Sequence, residues 1–157
     1  MTGRAEVARL EKQLDAAFQR VKGLGPAADI EVQSDFARYL CVLVSGYLEK
    51  SVAELMLEHA RNNGAATLQR FVDYRTRQFA NPNSQRLADL VGSFHPDWRR
   101  GLEAFLVDDV KDAVDSVVNL RNTIAHGGTV GVTYQRVLGY YERVKRVVAH
   151  VAMLCGA

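Results

Sequence analysis

The stretch from Asp29 to Gly64 limits the fold more than any other part of the chain. Its apolar residues Phe36, Leu40, Leu43, Val44, Tyr47, Leu48, Val52 and Leu55 recur at steps of three and four, which puts them on one side of a helix and not on one face of a strand. Asp29 is placed to cap the start. The pattern predicts one unbroken helix to Asn62 or Asn63, with Gly64 as the break. Gly46, inside that helix, suggests that another backbone comes close there.

The same period recurs elsewhere. Residues 4–22 place Val7, Leu10, Leu14, Ala17 and Val21 in a heptad-like stripe, an amphipathic helix that Gly23 to Pro26 should end. Its apolar side should pack on this domain or its twin, or dock on a different protein. Shorter helices are expected over Thr67–Phe79 and Ser84–Val91, the second capped by Asn83 after an Asn-Pro-Asn turn. Another should open at Pro96. A further helix is expected over Asp108–His126, then a loop over residues 127–131, then a last helix capped by Thr133 and running to about Leu154. No alternating strand pattern exceeds a few residues. The expectation is an all-α bundle with two long helices and several short ones. It should be one domain over residues 1–157, with an N-terminal amphipathic helix over 1–25 and a main bundle over 29–155.

Composition narrows the class. Hydrophobic residues make up 48% and charged residues 24% of the chain, ordinary for a globular protein. A net charge of +2 selects no partner, but its distribution is uneven. Arg61, Arg70, Arg75, Arg77, Arg86, Arg99 and Arg100 face only Asp73, Asp89 and Asp97 within residues 61–100. Such a basic middle suits a phosphate backbone as well as it suits a solvated face. Two cysteines are too few for a disulfide scaffold, and Cys41 reads as a small core residue. No Cys/His cluster, signal peptide or membrane span is visible, so no metal, cofactor or membrane partner is expected and the cytoplasm is the expected compartment.

The chemistry concentrates at residues 120–128, Leu-Arg-Asn-Thr-Ile-Ala-His-Gly-Gly. Arg121 falls on the apolar stripe of Val110, Ala113, Val114, Val117, Leu120 and Ile124, where a permanent cation needs an anion or a polar cavity. Asn122 and His126 share a different face. Arg121 and His126 are about 140° apart on an ideal helix. They converge if Arg121 reaches round, or if Gly127 and Gly128 end the helix and turn His126 inward. A purely structural reading is also open. Arg121 could pair with Glu49 or Asp35, and His126 could cap the last carbonyls of its helix. Tyr140 and Tyr141 are the best-placed rings for base stacking, although core anchoring suits them better.

The string RNTIAHGG, with DFARYLCVLVSGYLEKSVAELM and NPNSQRLADLVGSF, resembles HEPN domains of the RiboL-PSP type over roughly residues 30–150. That resemblance implies a helical bundle and a metal-independent endoribonuclease whose composite site is built from two motifs across a homodimer. His126 would then be the acid or base, Arg121 would grip phosphate oxygens, and Asn122 would assist. Glu49 is a candidate supporting carboxylate. RNA, a second copy, and an antitoxin or defence complex are the partners implied. The alternative is a non-catalytic interaction or nucleic-acid-binding module of a larger defence complex. A weaker one is a helical domain using Arg121 to bind an anionic ligand. In HEPN toxins controlled by a nucleotidyltransferase a tyrosine lies two residues after the motif histidine. Here that place holds Gly128, so control through such a tyrosine is not expected.

Overall fold

The computed structural model describes residues 2–25, 29–128 and 130–156. Pro26, expected to help end the first helix, and Thr129 of the expected loop lie outside them. Among the described residues there are seven helices and no strand: α1 (Gly3–Lys22), α2 (Ile30–Asn63), α3 (Ala66–Arg77), α4 (Ser84–Phe94), α5 (Pro96–Phe105), α6 (Asp108–Ala125) and α7 (Tyr134–Leu154). The all-α expectation holds. Boundaries move by a few residues where caps decide them. His95 ends α4 and also caps α5, its Nδ1 accepting the N–H of Asp97 at 3.0 Å, so α4 runs three residues past Val91.

Helix α2 is the spine. Its 34 residues span about 50 Å at 1.5 Å each. Buried residues come in runs, Leu40–Cys41, Val44–Ser45, Tyr47–Leu48, Ser51–Val52 and Leu55–Leu57. A single apolar stripe would serve one neighbour. Runs of two and three bury several sides of a helix, and α1, α3, α6 and α7 all pack on α2. The core joins these runs to Val110, Ala113, Val114 and Val117 of α6 and to Val137, Tyr141, Val144, Val147 and Val151 of α7.

The N-terminal helix packs on α2 and α7. Phe18 stacks on Tyr141 with ring centroids 4.8 Å apart. Tyr141 donates its hydroxyl to Asp15 Oδ1 at 2.6 Å, and Tyr47 donates to Glu11 Oε2 at 3.3 Å. Burial first, and these carboxylates second, push both phenols above their ordinary range. They therefore stay neutral donors. Tyr140 and Tyr141 are both buried, which removes them as platforms for a base and leaves them as core anchors.

Polar contacts also tie α6 to its surroundings. The Cys41 thiol lies 3.9 Å from the Val117 carbonyl, and burial pushes that thiol up to about 11. At the start of α4, the N–H and hydroxyl of Ser84 donate to Asp115 at 2.8 and 3.0 Å. A carboxylate at a helix N-terminus satisfies free N–H groups and meets the positive end of the helix dipole. No helix among the described residues is long and apolar enough to cross a membrane.

Candidate functional site

The motif lies where α6 runs out of core. Val110, Ala113, Val114, Val117 and Val118 are buried. On an ideal helix Arg121 sits within about 10° of the middle of that stripe. Beyond Val118 the stripe continues as Leu120, Arg121 and Ile124, all only half-buried. The sequence thus presents a core-facing arginine one turn past the last covered layer.

The helix ends in a Schellman motif. Gly127 adopts φ +76, a left-handed conformation that favours glycine. The Gly128 N–H reaches the Thr123 carbonyl at 2.9 Å, and the Gly127 N–H reaches the Ile124 carbonyl at 3.1 Å, the paired bonds of that cap. Its consequence is that α6 stops at Ala125 and His126 becomes the capping residue, one position short of the expected end. His126 caps through its backbone N–H, which donates to the Asn122 carbonyl at 3.1 Å. Its imidazole is left exposed, neither turned inward nor spent on the helix carbonyls. Gly128 is required for a steric reason. A Cβ there would fall 2.6 Å from Thr123 Cγ2 and 3.0 Å from the Thr123 carbonyl oxygen. A tyrosine at this position would need the cap to rearrange.

Among the described residues, the Arg121 guanidinium, the Asn122 amide and the His126 imidazole have no hydrogen-bond or ion-pair partner. The structural alternatives for Arg121 are occupied elsewhere. Asp35 pairs with Arg38. Glu49 accepts the N–H of Asn81 at 3.0 Å, in a depression shared with Arg9, Lys50 and Arg77. Glu49 therefore does not join the motif. It lies eight residues beyond Cys41, about 12 Å along α2, where the middle of α2 meets the turn before α4. Asn122 touches His126 through the backbone and not through its amide.

Arg38 is the residue that sequence reasoning passed over. Its Nη1 donates to Ser34 Oγ at 3.0 Å and to the Val130 carbonyl at 3.2 Å. It ties the segment after the motif to α2, while Val132 anchors that segment in the core. The only signal in the sequence was an arginine three residues from an aspartate within an apolar run. On the other side of Arg38, α2 leaves Val32, Phe36, Tyr39 and Val42 exposed, Tyr39 at 52%. Gly46 lies on the same side, and a Cβ there would meet nothing within 4 Å. The close approach expected at Gly46 is not made within one chain.

Residues 5–152 match RiboL-PSP-HEPN. The chain belongs to that family. Membership in the RiboL-PSP-HEPN family covers nearly the whole chain and accounts for the all-α fold. It ties the protein to a ribonuclease-type or nucleic-acid-related function, and HEPN domains commonly dimerise and bind RNA. No curated protein and no solved structure matches the chain. Among the described residues no three His, Cys, Asp or Glu side chains gather as metal ligands would.

Proposed function

We propose that this HEPN protein is an endoribonuclease that cuts RNA without a metal, through a composite site of two Arg121 and two His126 across a homodimer. The observation that carries this reading is the half-buried Arg121, without a partner among the described residues, in line with the core stripe and one turn from the exposed His126. An arginine kept only for structure would have a carboxylate, as Arg38 has Asp35. The exposed apolar face of α2 supports the dimer. Phe36 and Tyr39 lie together on that face, and a second α2 crossing at Gly46 would use its missing side chain. A two-fold axis through this face would bring two motif ends to one cleft.

The chemistry follows from the residue types. The substrate's own 2′-OH attacks phosphorus, one histidine takes its proton, and the other protonates the leaving 5′-oxygen. The arginines grip the non-bridging oxygens and stabilise the extra charge of the phosphorane. One chain offers a single acid/base group, so in-line attack needs the second copy. Two facing arginines repel, so RNA should tighten the dimer. A toxin or defence nuclease, held by an antitoxin or a larger complex, is the biological setting of this proposal.

The test is incubation with labelled total RNA in EDTA. Cleavage that leaves 2′,3′-cyclic phosphate ends, spares DNA and disappears in His126→Ala supports the reading. RNA that is bound but never cut would move the protein to the non-catalytic, nucleic-acid-binding class. Activity that vanishes in EDTA and returns with a divalent metal would replace the mechanism with a metal-dependent one.

A further inference from the structure

The seven arginines of residues 61–100 do not form one basic face. Arg77 pairs with Asp73, Arg99 with Asp89 and Glu103, and Arg100 with Asp97. Among the described residues, the guanidinium groups of Arg61, Arg70, Arg75 and Arg86 have no such partner. Two of these four, Arg75 of α3 and Arg86 of α4, line the same groove, an open cavity of about 700 Å³ between the two helices. Phe71 lines it too, one turn before Arg75, and is 61% exposed. Leu68 and Tyr74 extend the exposed apolar surface of α3 on either side. Asp89 is the one acid in the lining, and its carboxylate is held by Arg99 at 2.7 Å and by Gln85 at 3.1 Å.

Only Thr76 of α3 is fully buried. A helix that buries so little would normally carry polar residues on its outer side. This one presents a phenylalanine, a tyrosine and a leucine interleaved with cations. Free arginines beside an exposed ring match a single-stranded nucleic acid, whose phosphates take the cations and whose bases stack on the ring. A protein partner would account for the apolar residues, but not for two permanent cations left without a counter-charge in the groove.

We propose that the α3–α4 groove is a second binding site for single-stranded RNA, with Arg75 and Arg86 on phosphates and Phe71 under a base. The proposal rests on the RNA-cleaving reading above and adds where the substrate is held outside the cleavage site. The start of α4 is bolted to α6 through Asp115, and His126 lies about 16 Å further along α6.

The test uses the full chain in the His126→Ala background, so that RNA survives. The probe is a fluorescein-labelled, mixed-sequence oligoribonucleotide of about 12 nucleotides, within the range of single-strand sites. Phe71→Ala should weaken binding by about tenfold, the loss of one stacked base. Arg75→Ala and Arg86→Ala should each reduce the slope of log affinity against log salt by about 0.7. Arg75→Lys and Arg86→Lys should restore most of that slope. All three residues are exposed, and unchanged melting curves would show that the variants fold. Parental affinity and parental slope in all three Ala variants would overturn the proposal and leave the groove to a protein partner. The two readings fail separately. A protein that cuts RNA while its groove variants bind normally refutes the groove alone. A protein whose groove variants lose RNA, but whose His126 form never cuts, refutes the nuclease alone.

Discussion

Helix α6 carries two polar regions of opposite character. In its first half, the charges that face neighbouring helices are answered. Asp115 takes two hydrogen bonds from Ser84 and a third from Lys111 at 3.1 Å, and Asp109 takes Arg143 at 3.0 Å. In its last turn Arg121, Asn122 and His126 are answered by nothing among the described residues. Both regions lie on one continuous helix and follow from the same kind of sequence pattern. The first half spends Asp109 and Asp115 on assembling the bundle. The last turn holds its polar groups in reserve, with Arg121 on a stripe that the fold itself leaves half-open. A permanent cation on such a stripe is costly unless something outside the chain completes it.

The widest gap between the two regions should appear in activity. Arg121→Ala and His126→Ala are each expected to lower RNA cleavage by at least about 100-fold, a typical loss for a charge-stabilising donor or an acid/base group. Their melting temperatures should stay near the parent's, because no bond within the chain is removed. A large fall in melting temperature for Arg121→Ala, with cleavage intact, would break the comparison by making Arg121 structural.

The dimer comes next. Tyr39→Glu, or Phe36→Glu, would set two like charges across the two-fold axis and should weaken self-association by at least about tenfold. Analytical ultracentrifugation reads this directly, and cleavage should fall with it. A form that stays monomeric yet cuts through His126 would show that a composite site is not needed.

Asp115→Asn tests the answered half and should cost about 1–2 kcal/mol of stability with little effect on cleavage. Burial pushes the Asp115 carboxyl upward, but the N–H and hydroxyl of Ser84 and the Lys111 ammonium outweigh it and leave it below its ordinary value. A carboxyl held lower in the folded state stabilises fully above its unfolded value, and that contribution is lost as pH falls through the folded value. The difference between parent and variant should therefore be largest near neutral pH and shrink in acid. A pH-independent difference in denaturant titrations would contradict the assignment.

The smallest effect belongs to the cap between helix and loop. Gly127→Ala must hold φ +76 with a side chain and should cost about 1 kcal/mol. If the cap serves only to end the helix, cleavage will follow stability. A larger loss of cleavage than of stability would show that the cap also sets the direction of His126.

Much of the architecture was legible because helical periodicity is a local property. The long α2, the N-terminal amphipathic helix, the Asn83 and Thr133 caps and the glycine stop after the motif could each be read from residues within a few positions of one another. Arg121 could be singled out for the same reason, since its place on the α6 stripe depends only on its own helix. What tertiary structure decided is what those stripes meet. It buried Tyr140 and Tyr141, bound Glu49 to the Asn81 N–H, gave Asp35 to Arg38, and left Gly46 facing open space. It also sorted seven arginines into paired and free. Spacing along the chain says which side of a helix a residue occupies, but not whether that side is covered, because coverage depends on helices tens of residues away.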